Sequence, residues 1–209
     1  MNKTLDIASK ILSAVCYPLW MPTYGMALFC GAVQQTFPLP FSYWLVSVGT
    51  TFLLTGLLPL SLIWYQVKKG AIQDIYINNR EERTMAYIEA AMGFAFWWYL
   101  ITYILHAPSF LCGVALGATV AIVAVAVINK FWKISAHLTG MGGLLGGVMA
   151  YALAYSVFPI GLLITVCVLT LLVMYARLWL KAHTDWQVIA GLALGMACTL
   201  GASVIPLGK

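Results

Sequence analysis

The sequence predicts an all-α membrane protein, a bundle of about six to seven transmembrane helices, and three observations lead there. Of its 209 residues, 63% are hydrophobic and 8% charged, against about 25% charged in a soluble domain; mean hydropathy is +0.94. The apolar residues fall into runs close to the roughly 20 residues that cross a bilayer. The polar residues gather in three short islands, 67–83, 130–137 and 177–186, which hold all three arginines and two of the three histidines.

Read in order, the runs are about seven: 11–33, 41–66, 86–105, 110–129, 138–157, 159–178 and 187–206. They form one domain, 1–209. The stretch Met1 to Lys10 is short and polar, and the run after it is long enough to span, so no cleavable signal peptide is read. Pro18 and Pro22 predict a kink or an early break in the first run. The fifth run carries Gly140, Gly142, Gly143, Gly146 and Gly147, a spacing that lets helices approach closely. A tight turn before Pro159 joins the fifth and sixth runs. The count falls to six if one run is re-entrant.

Parity follows from the count. Each island is two spans from the next, so all three share one membrane face with the N-terminus. Ten of the eleven basic residues lie on that face and only Lys209 lies opposite. Setting the arginines aside leaves seven lysines against one, and the positive-inside rule makes the island face cytoplasmic. The net charge of +5 forms no basic stripe with interleaved aromatics, so nucleic acid is not an expected partner. Cys16, Cys30, Cys112, Cys167 and Cys198 sit in apolar runs with no metal or pairing pattern and read as packing.

The islands carry the chemistry. Arg80 and Arg83 are three apart and share a helical face, where two guanidiniums can bracket a phosphate; in the plainer alternative, Glu81 and Glu82 neutralise them in a solvated loop. Ser135 stands where it can cap the fifth span and turn its hydroxyl and the free N–H groups toward an anion. His137 follows in the same turn and suits a general acid; the alternative is an interfacial histidine beside a cap. Arg177 ends the sixth span and His183 opens the seventh. In one continuous helix they would not share a face, so meeting one phosphate requires a break near Lys181. Gln187 lies one turn past His183 and can fix its tautomer; here too the alternative is a pair of ordinary interfacial residues. His106, on the opposite face without a partner, reads as structural. Three scattered histidines with few carboxylates make a protein metal site unexpected. Together the islands predict a composite phosphate site at one membrane face.

The constellation resembles the type 2 phosphatidic acid phosphatase superfamily, the membrane branch of the vanadium-haloperoxidase-like phosphatases. Three motifs carry it in order across roughly residues 74–191: the Arg80/Arg83 island, then Ile134-Ser135-Ala136-His137, then Ala176-Arg177, five residues, His183, three residues, Gln187. The resemblance implies phosphate-ester hydrolysis without metal or other cofactor. His183 would be the nucleophile and His137 the general acid, with Gln187 orienting His183. Arg80, Arg83 and Arg177 would hold the phosphate, with Ser135, Ala136 and Lys133 completing its cradle and Lys181 nearby. The chain departs from the family twice. No lysine stands seven residues before either arginine of the first island (Gln73 and Tyr76 occupy those positions), which leaves Lys133 or Lys130 as substitutes. Gln187 stands where the family has Asp, so an amide replaces the carboxylate that would balance a positive imidazole.

The expected partners are the lipid bilayer and a membrane lipid phosphate: prenyl phosphate or pyrophosphate, phosphatidic acid, phosphatidylglycerol phosphate or a lipid A-type phosphate. A bacterial inner membrane is the expected location. The alternatives are a lipid phosphotransferase, in which an alcohol replaces water, and a weakly active or inactive lipid-phosphate binder, for which Gln187 is the argument. A small transporter has only Glu89, near the start of a span, in its favour.

Overall fold

A computed structural model describes residues 3–34, 38–70 and 80–205, without the side chains of Arg80 and Glu81. Gln73, Asp74, Tyr76, Lys209 and the side chain of Arg80 therefore lie outside the described residues. Every regular element among the described residues is helical: α1 (Lys3–Val15), α2 (Met21–Val33), α3 (Phe41–Thr51), α4 (Leu58–Lys68), α5 (Arg80–Tyr99), α6 (Ser109–Asn129), α7 (Ala136–Tyr155), α8 (Ile160–Trp179) and α9 (Asp185–Ser203).

Five helical stretches among the described residues are long and apolar enough to cross a membrane: Phe41–Lys68, Ser109–Asn129, Ala136–Tyr155, Ile160–Trp179 and Asp185–Ser203. Five of the predicted runs coincide with them. Their outward faces are apolar, as in α8, where Ile160, Ile164, Val168 and Leu171 are exposed along one stripe. Water penalises such a stripe and lipid solvates it. This is the pattern of an integral membrane protein.

The first predicted run is not one helix. Helix α1 stops at Val15, a 3₁₀ turn spans Pro18–Trp20, and α2 begins at Met21. Pro18 has no N–H to continue α1 and holds Tyr17 extended, at φ −64° and ψ 138°, as a residue before proline prefers. The 13 residues of α2 rise about 20 Å, short of the roughly 30 Å hydrocarbon core. Within Phe41–Lys68, a π-helical turn at Phe52–Leu57 precedes Pro59. The wider turn accommodates a ring that would otherwise press on the carbonyl one turn earlier. The third predicted run starts earlier than expected, at Arg80, and continues through a π turn, Leu100–Ile104. Arg80 and Arg83 therefore share the first turn of a helix. Helix α5 is not among the five apolar stretches.

Helices α7 and α9 form the closest pair, and glycine makes it so. A Cβ at Gly142 would collide with the Leu192 carbonyl, and one at Gly195 with the Thr139 carbonyl. The Ser135 N–H also bonds the Gln187 carbonyl at 3.2 Å. Contacts that advance together along both chains, Ser135 with Gln187 and Thr139 with Gly195, mean that the helices run parallel. Their N-termini, with the second and third islands attached, sit side by side.

Candidate functional site

Helix α8 ends in a Schellman motif. The Lys181 N–H bonds the Leu178 carbonyl at 2.9 Å, and the Ala182 N–H bonds the Arg177 carbonyl at 3.1 Å. The motif needs a left-handed residue, and Lys181 supplies it at φ 49°, although a Cβ costs about 1–2 kcal/mol in that conformation and glycine is the usual occupant. The reversal at Lys181 carries His183 back beside the end of α8. This is the break that a shared role for Arg177 and His183 requires.

Helix α9 opens with a capping box formed by Thr184 and Gln187. Gln187 Oε1 accepts the Thr184 N–H at 3.1 Å and lies 3.2 Å from Nδ1 of His183. The backbone N–H decides which end of the amide points this way, and an amide oxygen only accepts. The His183 proton is therefore on Nδ1, and Nε2 keeps its lone pair. Helix α7 opens on Ser135, whose Oγ accepts the Leu138 N–H at 3.5 Å. The expected cap is present. The hydroxyl, fully buried, is turned into the helix because it answers one of the helix's own orphan donors.

The islands meet in one cavity of about 920 Å³. Arg83, Lys133, Ala136, His137, Arg177 and His183 line it, and Lys181 stands at the same wall. Ser135 and Gln187 stand behind the wall and hold it. No carboxylate lines it among the described residues. Phe29, Phe94, Trp97 and Leu111 give the cavity a large apolar portion. His106, exposed in a left-handed turn at φ 46°, and Lys130 are not in the lining.

The electrostatics point to an anion. Burial pushes His183 down to about 4, and the positive charges of Arg177 and Lys133 add to the fall, while the Gln187 bond opposes it. Burial likewise lowers Lys133, with Arg83 and Arg177 contributing. Each group thus feels the same cluster of positive charge. The Nε of Arg177 is buried and meets no hydrogen-bond partner among the described residues. A buried guanidinium N–H left unanswered is costly unless a ligand answers it. The two parallel helix N-termini add their own positive ends.

No family model, curated protein or solved structure matches the chain.

Among the described residues, no three His, Cys, Asp or Glu side chains are grouped to hold a metal ion. Sequence reasoning missed Lys10, Ser13, Tyr17 and Tyr87, all of which line the cavity. Lys10 and Ser13 were legible as one helical face with Asp6, hidden because residues from 11 onward were read as a span, and Tyr17 reaches the cavity from the extended residue before Pro18. Tyr87 stands one turn past Arg83 and carried no signal beyond that spacing.

Proposed function

We propose that the protein is a metal-independent lipid phosphate or pyrophosphate phosphatase that works through a phosphohistidine. The observation that carries this reading is the single cavity lined by His183, His137, Arg83, Arg177 and Lys133, with a large apolar portion beside the charges. The cations hold the phosphate oxygens, and we assign Arg80, which shares the first turn of α5 with Arg83, to the same role. The Nε2 lone pair of His183 attacks phosphorus, the P–O bond to the leaving group breaks, and His137 protonates the departing oxygen. Water then attacks the phosphohistidine, gives its proton to His137 and releases phosphate. The neutral state of His183 near pH 7 suits the attack, since a lowered pKa keeps the lone pair free.

The apolar lining suits a prenyl or acyl chain, so the substrates that fit are prenyl phosphates and pyrophosphates, phosphatidic acid, phosphatidylglycerol phosphate and lipid A-type phosphates. We place the site at the cytoplasmic face of a bacterial inner membrane, in a bundle of six to seven spans formed by one domain. Phosphate release from purified protein across these lipids tests the reading. His183→Ala should abolish release and chelators should leave it unchanged; release that survives His183→Ala, or collapses with chelator, rules the scheme out.

Gln187 favours one other reading, a lipid-phosphate binder with little turnover, because an amide does not offset the charge of an imidazolium. The two separate on stoichiometry. A phosphatase releases many phosphates per protein, whereas the binder retains labelled lipid without releasing any.

A further inference from the structure

Helix α1 touches both halves of the site. Asp6, Lys10 and Ser13 stand at i, i+4 and i+7, one side of α1, and Tyr17 follows two residues past its end. The Asp6 Oδ1 accepts the indole N–H of Trp179 at 2.8 Å, two residues past Arg177. The Ser13 carbonyl lies 3.0 Å from Nε2 of His137. Tyr17 meets the same imidazole edge-on, with centroids 5.8 Å apart and planes at 89°. On the other side of α1, Ile7, Ile11 and Val15 are exposed, while Ser9 and Ser13 are buried. A helix that turns its serines inward and its isoleucines outward is built for lipid on one side and for specific polar contacts on the other.

A backbone carbonyl only accepts. The His137 nitrogen facing it, Nε2, therefore carries a proton in both the neutral ring and the imidazolium, and the proton that can be exchanged is the one on Nδ1. We propose that α1 is the positioning element of the acid–base step: the Ser13 carbonyl and the Tyr17 ring hold His137 so that Nδ1 serves the leaving oxygen, and the Asp6–Trp179 bond latches the helix in place. The inference rests on the phosphatase reading. As the P–N bond to His183 forms and the P–O bond breaks, the leaving oxygen keeps the bonding pair and takes the Nδ1 proton of the His137 imidazolium. The neutral Nε2–H tautomer remains on Ser13. In the second half, Nδ1 takes a proton from water as its oxygen attacks phosphorus, and the breaking P–N bond returns its pair to His183.

Leaving groups supply the test. An alkoxide needs a proton to depart, whereas nitrophenolate leaves as a stable anion. The full chain in detergent micelles is assayed on dioleoyl phosphatidic acid and on p-nitrophenyl phosphate. Asp6→Ala, Trp179→Phe and Tyr17→Ala should each lose about tenfold or more in kcat/KM, which reports the steps up to departure of the leaving group, on the lipid and less than about twofold on the nitrophenyl ester. Asp6→Asn, which keeps an acceptor for the indole N–H, should restore the lipid rate. Equal losses on both substrates would reduce α1 to a scaffold and overturn the proposal, as would no loss on either. Failure of the underlying phosphatase reading looks different, because the wild-type protein is then inert on both substrates.

Discussion

Gln187 answers two donors with one oxygen, the Thr184 N–H and Nδ1 of His183. That explains how an amide can stand where resemblance calls for a carboxylate: it sets the tautomer, although it leaves an imidazolium unbalanced. Gln187→Glu keeps the reach and both contacts and adds a negative charge beside the ring. It should raise His183 from about 4, so the acid limb of kcat/KM, which reports the free enzyme, should move toward neutral pH. A limb that stays in place would show that His183 does not govern it. The same shift has a stability consequence. With an ordinary value of 6.5 and a folded value of about 4, His183 binds more protons unfolded than folded between those limits. Its contribution is present above about 6.5 and is lost as pH falls through about 4. The thermal unfolding midpoint of detergent-solubilised protein should therefore drop between pH 7 and 4.5, and His183→Asn should flatten that drop.

At the scale of elements, the site depends on α7 and α9 lying closer than side chains normally allow. Gly142→Ala or Gly195→Ala sets a methyl against a backbone carbonyl, which cannot rotate away as a side chain can. Each should destabilise the protein by about 1–3 kcal/mol and separate the turns bearing His137 and His183. Activity should therefore fall more than the unfolded fraction accounts for, as measured by turnover against folded protein. Gly161→Ala, where the added atom meets nothing within 4 Å, is the control. The glycine spacing that sets up this contact is plain in the sequence, and so are the long apolar runs of α6 to α9. Other elements were illegible for definite reasons. Helix α1 alternates Asp6, Lys10 and Ser13 with Ile7 and Ile11, so an average over 20 residues erases both of its faces. The stop at Lys181 carries no glycine to announce it, because a lysine takes the left-handed position. Ser135 was readable as a cap, but the direction of its hydroxyl depends on the orphan N–H of Leu138, which exists only once the helix does.

For the whole molecule, the decisive property is that one end of the bundle holds the charge among the described residues. Lys68 lies over the Trp64 ring at 3.8 Å and Lys69 over Tyr65 at 5.5 Å, pairings suited to the membrane–water interface, where a cation reaches water while its stem and an aromatic ring stay in the headgroup layer. Helices α5 and α6 separate that end of α4 from the turn at Lys130, and α7 and α8 separate Lys130 from Lys181. With the proposed topology, in which α5 also crosses, two crossings at each step would return the chain to the same side, and the turns at His106 and Phe158 would fall on the other. A single cysteine placed at Lys68, Lys130 or Phe158, in a background whose five native cysteines are replaced, reads this directly with a membrane-impermeant maleimide. Cysteines at 68 and 130 should label only when the cytoplasmic face is opened, and the one at 158 should label on intact cells from outside. If 68 and 158 label from the same side, α5 does not cross, the parity of the islands is lost, and a cytoplasmic phosphate site loses its footing.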